Sequence, residues 1–424
     1  MSKSLKNLFI SMEEEGNDIN QTTLEVSADN TMEEEVAEVT EAGIEVIEAE
    51  DDVEELHEIA EGLESIVASL ESAVEDGGLE PQAAVFMQHA VAGYTKRVGL
   101  EATAIVPSLE SFGGASGKAA ATTISLEGIK ETIQKVWQAI KNAVVKAIAA
   151  VKNFFAKIFG GVKKLRSRLA ALQKAVDGLG DKKAGGKIKV PSANALRLNG
   201  KADGKAIATG LKNTAEMGTI VYDRVTKGAS SFYSNVAAKI TNAEAIKASK
   251  EAGFEAALTE ASKPFTNVAK EIVSYGKPMS GDAAFKSGSK EAAGEETSLV
   301  IPELKRGVLG KDVAEGLEID VPSQSELKEM LGSMDSILKL MESKKSTIEG
   351  LASAREAAKD KSESFVKMVS TGKFDEFVTN AKVSMALRWA NKDVTKPVTS
   401  YSSYSFAVVR AGLALVDRSV AAYK

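Results

Sequence analysis

Two imidazoles, His57 and His89, are the chain's whole supply of side chains that titrate near neutral pH without help, and it has no cysteine. His57 stands in a Glu-rich helical pattern and His89 in a short apolar one. Neither has a second histidine nearby, so both read as structural. Without Cys there are no disulfides, no thiolate metal sites and no cysteine nucleophile. Gly113-Gly114-Ala115-Ser116-Gly117-Lys118 has the look of a phosphate-binding loop. That motif needs Gly where Phe112 stands and Ser or Thr where Ala119 stands, so the segment is read as a linker. Gly-x-Ser-x-Gly and His-Glu-x-x-His are absent. No catalytic residue, metal site or cofactor is expected, and the chain is not read as an enzyme.

What recurs is a tripeptide, Ser-[Leu/Met]-Glu. It occurs at Ser11-Met12-Glu13, Ser69-Leu70-Glu71, Ser108-Leu109-Glu110 and Ser125-Leu126-Glu127, all in the first 127 residues. Two copies bracket a stretch rich in Gly, Ala, Ser and Thr. A protease needs an accessible, extended substrate, and a linker supplies one. Cleavage is therefore expected at Glu110–Ser111 and at Glu127–Gly128, with lesser cuts after Glu13 and Glu71. Ser125 is expected to cap the helix that follows, which makes Glu127 the less accessible of the two main sites.

Charge is divided at the same place. The net charge is −7, but residues 1–127 hold 28 carboxylates against 5 basic groups, a net of −23, and the remainder carries +16. Residues 128–190 alone have 15 Lys and Arg against Glu131, Asp177 and Asp181. Opposed blocks of this size suggest a basic surface with an acidic segment competing for it. Lys130, Lys135, Lys141, Lys146, Lys152, Lys157, Lys163, Lys164, Arg166 and Arg168 are the candidate contacts to nucleic-acid phosphates. Lys135, Lys146 and Lys157 recur every 11 residues, as do Lys141, Lys152 and Lys163, and such a step returns to nearly the same helix face.

These side chains must be positioned by helices. Residues 13–30 show no period and are expected to be disordered. From Met32 to Val74 apolar residues return at helical spacing, as one long or two shorter acidic helices. Gly77-Gly78 closes the pattern, and Pro81 opens a helix to about Val98. Residues 111–127 are read as a flexible linker. From Ile129 to Leu172 the 3.6-residue period is unbroken except for an expected kink at Gly160-Gly161. Further helices are expected near 203–250, 262–275, 324–371 (with a capping box, Ser323 and Glu326), 374–391 and 402–421. Thr219–Tyr222 and Ser298–Ile301 are possible short strands. The fold class is thus mainly α with small β content. Its organisation is an acidic leader (1–110), a linker (111–127), a basic amphipathic helix region (128–190) and a mainly helical C-terminal domain (191–424). No apolar run reaches the length of a bilayer span, and the start carries no signal-peptide pattern, so a soluble, intracellular chain is expected.

With the Ser-x-Glu sites, the acidic leader and the basic helix in place, the chain resembles the internal head proteins of large tailed bacteriophages, of the T-even-like and jumbo myovirus type. The resemblance is carried by Val106–Glu110 and Ile124–Thr132 together with the flanking charge blocks, somewhat under half of the chain. It implies a virion structural protein that assembles in the prohead in the host cytoplasm, beside scaffold and capsid proteins. It further implies cutting after Glu by the prohead maturation protease, and a mature part kept in the capsid interior with packaged double-stranded DNA. On this reading, leader removal takes the protein from −7 to +16. Two other readings stand beside it. Residues 128–176 have the large moment, Lys flanks and aromatics (Trp137, Phe154, Phe155, Phe159) of a membrane-surface helix, though such a helix is more often core. Residues 191–424 could also hold an effector directed at the host.

Overall fold

The acidic apolar-periodic segment folds as one helix, α1 (Val26–Glu75), in a computed structural model of the protein. The structure describes residues 26–99, 105–180, 186–190, 193–236, 238, 251–292, 298–305, 317–370 and 394–423. Residues 13–25 of the expected disordered stretch and the helix expected at 374–391 lie outside them, whereas residues 26–30 of that stretch are not disordered but form the start of α1. Gly77 and Gly78, at φ of 91° and 103°, end α1. Gly78 N–H donates to Ala73 O at 2.7 Å and Gly77 N–H to Val74 O at 3.2 Å, the paired bonds of a left-handed helix stop. Pro81 opens α2 (Pro81–Arg97), which folds back on α1. A Cβ on Gly62 would stand 2.1 Å from the Tyr94 ring, so only glycine lets the helices approach this closely.

Residues 111–127 are not a linker. A single 3-10 turn (Leu109–Phe112) leads directly into α3 (Ala115–Asp177), 63 residues and about 95 Å long at 1.5 Å per residue. Nor does Ser125 cap a helix. Its Oγ–H and that of Thr122 donate to the carbonyls four residues back, Ala121 O and Lys118 O, so these polar residues meet their needs inside the helix. Packing completes the override of local propensity, because Ala121, Thr122 and Ser125 are buried. Gly160-Gly161 do not break α3 either. Gly161 is where the Phe406 ring crosses, within 2.6 Å of a would-be Cβ.

Beyond α3 come β1 (Lys187–Val190), a single turn α4 (Ala193–Leu196) and α5 (Gly204–Ile220). A π-helical turn, Val221–Val225, joins α5 to α6 (Thr226–Asn235). The strand expected at Thr219–Tyr222 is therefore helical. Val221, Tyr222 and Val225 point into the core, where the Tyr222 hydroxyl meets Ser402 Oγ at 2.9 Å. Next are α7 (Glu251–Ser274), β2 (Ala284–Ala292), β3 (Ser298–Lys305) and β4 (Leu317–Asp320). The strand expected at Ser298–Ile301 is present in β3. β2 pairs antiparallel with β3, Ala284 opposite Lys305, and β1 with β4, Lys187 opposite Asp320. The 324–371 pattern is two helices, α8 (Gln324–Ser343) and α9 (Lys345–Ser370), parted at Lys344. α8 opens with the expected capping box: Ser323 N–H donates to Glu326 Oε2 at 2.7 Å and Glu326 N–H to Ser323 Oγ at 3.3 Å. α10 (Lys396–Ala422) closes the described chain.

One contiguous core joins α1 to α10, with α3 as its axis. The first half of α3 is clasped by α1 running antiparallel, as Glu71 meets Lys130, Glu64 meets Trp137 and Glu45 meets Asn153. The second half is clasped by α8 and α9, also antiparallel: Lys328 meets Asp177, Glu342 meets Arg166 and Glu356 meets Lys152. α10 runs parallel to it, through Phe406 at Gly161 and Asp417 at Arg168. α10 is enclosed along most of its length, so its hydroxyls bond inward. Ser402 donates to Val398 O at 2.7 Å and Tyr404 to Ser280 O at 2.7 Å. The fold is mainly α, with two small antiparallel ribbons among the described residues.

Candidate functional site

The apolar stripe of α3 is spent on the core. Ile129, Val136, Val144, Ile148, Val151, Phe155, Ile158, Val162, Leu165 and Leu169 are all buried. The side that a membrane surface would take up is thus inside the fold. Among the described residues no helix is long and apolar enough to cross a membrane.

The polar side of α3 divides into two kinds of surface. Some of the ten basic residues predicted to meet phosphate are tied to acids. Lys130 reaches Glu71 of α1 at 2.7 Å and Lys135 reaches Glu131, one turn back, at 2.9 Å. Lys152 bridges to Glu356 at 2.6 Å, Arg166 to Glu342 and to Asp335 at 3.6 Å, and Arg168 to Asp417 at 2.7 Å. The shielding expected of the acidic leader is therefore shared. α1 supplies it at Lys130, whereas α8, α9 and α10 supply it at Lys152, Arg166 and Arg168. Lys146 and Lys163 are exposed at the solvent side with Lys164, and Lys157 is half-buried beside them. Lys141, also half-buried, stands on the same side as Lys152 and Lys163, while Lys174 extends the exposed set. Between these lysines most outward residues are small, Asn142, Ala149, Ala156, Gly160 and Ser167 among them, with Val145 the large apolar exception at 45% exposed. From Thr132 to Val176 the helix has no carboxylate of its own.

The four Ser-x-Glu sites occupy different environments. Glu13 lies outside the described residues. Glu71 is within α1 and Glu127–Gly128 within α3, each bond in regular helix. Gly128 also packs on the backbone of Ile105, 2.5 Å from a would-be Cβ. Glu110–Ser111 differs. Ser108, Leu109, Glu110 and Ser111 are exposed in one turn held by Ser111 N–H to Ser108 O at 2.9 Å and Gly113 N–H to Glu110 O at 3.1 Å. Val106 on one side and Phe112 on the other are buried, so the exposed bond is pinned at both ends.

Sequence reasoning missed a line of polar residues inside the α1 seam. Glu50, His57 and Glu64 recur every seven residues and are buried. Glu50 pairs with Arg355 of α9 at 3.5 Å, their side chains 5% and 1% exposed. The Trp137 indole N–H donates to Glu64 Oε1 at 3.1 Å, and His57 meets the same indole edge-on, ring centres 5.5 Å apart. Burial raises the Glu64 pKa from 4.5 to about 7; the Trp137 bond opposes the rise and the Glu61 charge adds to it. The signal available beforehand was the period of seven, which sets these side chains on the face of Val39, Val46, Val53, Ala60 and Val67.

Neither histidine sits in a metal cluster. Among the described residues no group of three or more His, Asp or Glu side chains could hold a metal ion. A pocket of about 20 Å³ lies where α1, α3 and α10 meet, lined by Gly43, Val46, Phe154 and Ser403 among others, and has room for about one water. The chemistry this surface offers is charge presentation along a rod, with one exposed turn beside it. A family model described as phiKZ-like phage internal head proteins matches residues 12–418. No curated protein and no solved structure matches the chain.

Proposed function

The chain belongs to the phiKZ-like phage internal head proteins, and on that premise we propose that it is a capsid-interior component cut after Glu110 and faced toward packaged DNA by the solvent side of α3. The family gives the coarse role, a structural protein inside the phage head. The observation that carries the DNA contact is the stretch from Thr132 to Val176, which lacks any carboxylate and displays Lys146, Lys163, Lys164 and Lys174 outward. A row of point charges without a groove-reading element favours backbone contact, independent of base sequence. From Ala149 to Ser167 the small outward residues Ala149, Ala156, Gly160 and Ser167 let a phosphate backbone approach the helix.

Exposure and a lone 3-10 turn support Glu110–Ser111 as the bond that the prohead protease opens, because two backbone hydrogen bonds and the Ser108 Oγ–Ser111 Oγ bond at 3.3 Å are what hold the turn locally. Glu71 and Glu127 would need helix unwinding first. Scaffold and capsid proteins are the remaining expected partners, met in the host cytoplasm during assembly. Mass analysis of the protein from finished particles tests the processing: a fragment starting at Ser111 is expected, and an intact chain rejects it. Retention of duplex DNA by the purified protein tests the contact. Binding indifferent to base sequence and lost at high salt is expected; no binding at low salt rejects it.

A further inference from the structure

We infer that the leader is not shed by this cut: residues 26–110 stay docked on the body as a second, non-covalent chain. The inference rests on the proposed cleavage after Glu110 and changes what that cleavage does. α1 is not a tether lying over charged surface. It contributes Val46, Val53, Leu63 and Val67 to the same core as α3, all buried. The acidic residues that hold it are themselves inside, Glu50 against Arg355 of α9 and Glu64 against Trp137 of α3. Polar groups buried at seven-residue intervals penalise any shifted pairing, so they fix one register for the docked helix. The cut is also placed where it loosens nothing. Val106 stays buried on the leader side of the bond, and Phe112, fully buried, on the body side. Leu79 N–H still donates to Thr122 Oγ1 at 2.8 Å, across what becomes a chain boundary.

Retention keeps the leader's net charge, −23 for residues 1–110, on the particle-bound protein. Cleavage then creates a new amino terminus at Ser111 and uncouples two chains, rather than reversing the sign of the surface.

The test is made on the full chain with a foreign protease recognition sequence inserted between Glu110 and Ser111. After complete cutting, size exclusion should return leader and body together in equal amounts at the elution volume of the intact protein, and only denaturant should part them. Co-elution should persist at about 1 M salt, because screening weakens surface bridges far more than an apolar seam. A leader that elutes alone in ordinary buffer overturns the inference. A Leu63→Asp chain treated in the same way should lose its leader on cutting; if it keeps the leader, the seam is not what holds it. Because a foreign protease makes the cut, this result is independent of whether Glu110 is opened in particles, which mass analysis decides separately.

Discussion

Glu64 places a carboxyl where a charge is disfavoured, and that disfavour has a pH signature. In the unfolded chain the carboxyl ionises near 4.5, whereas in the fold burial holds it protonated up to about 7. Between those values the folded state keeps a proton that the unfolded state has lost. Stability from this group is therefore full at low pH, falls as pH rises through the window and levels off above it. Glu64→Gln keeps an oxygen for the Trp137 N–H and has no charge to bury. Its melting temperature should fall less than wild type between about pH 4.5 and 7, and above that window it should be more stable by up to about 3 kcal/mol. A variant that tracks wild type across the range would show that the carboxyl is not the source. Gly160 and Gly161 make a paired prediction on one helix. At Gly160 nothing lies within 4 Å of a would-be Cβ, so Gly160→Ala should gain about 0.5–1 kcal/mol. At Gly161 the Phe406 ring lies 2.6 Å away, so Gly161→Ala should lose about 1–3 kcal/mol, read as urea midpoints. At this scale the sequence was partly legible. The lysine rows lie on the helix faces that the 11-residue step predicts, and Glu110 is exposed on a 3-10 turn rather than at the edge of a linker, but the acids opposite Lys152, Arg166 and Arg168 come from roughly 175–250 residues further along the chain. No local pattern carries that information.

α3 is stabilised from outside itself, and its partners explain both its length and its continuity. Changing Val144 or Ile148 to Asp should cost several kcal/mol by burying an unpaired charge in the seam, visible as loss of cooperative unfolding or a large drop in midpoint. Glu50→Ala should cost about 3–5 kcal/mol, since it leaves the Arg355 guanidinium buried without its carboxylate, and Arg355→Met in the same chain should restore much of the loss. Amphipathic period was enough to find α1, α3 and α8, because each spends a full stripe on the core. It misjudged the ends. Residues 115–127 lack a strong stripe, and only burial of Ala121, Thr122 and Ser125 beneath the leader makes them helix. The break at Lys344 was equally silent, lying within one continuous apolar spacing. Thr219–Tyr222 read as strand because β-branched residues cluster there, yet the π turn uses the same bulk to fill space beside Ser402.

The whole molecule presents a basic rod whose apolar side is closed by helices from both ends of the chain. Full-length and nicked protein should bind duplex DNA with similar strength, because Lys146, Lys163 and Lys174 of α3 face solvent with the leader docked. Affinity should fall by orders of magnitude between about 50 and 200 mM salt, with a slope near 0.9 per phosphate neutralised. Replacing Lys146, Lys157 and Lys163 together by Glu should flatten that slope while leaving the fold intact, and an unchanged slope would move the contact elsewhere. The alternative, a charge reversal from −7 to +16, requires the leader to depart and predicts a large gain in binding on cutting. α10 has a consequence of another kind, for the timing of biosynthesis. It lies at the centre of the core, yet it is the last of the described elements to be made. Through most of translation α3 therefore waits with its second half uncovered, and the body cannot close until residues near 420 have left the ribosome. Early-made α1 can pair with the first half of α3 much sooner, which makes the leader the first cover for the nascent basic helix, before α8, α9 and α10 are synthesised.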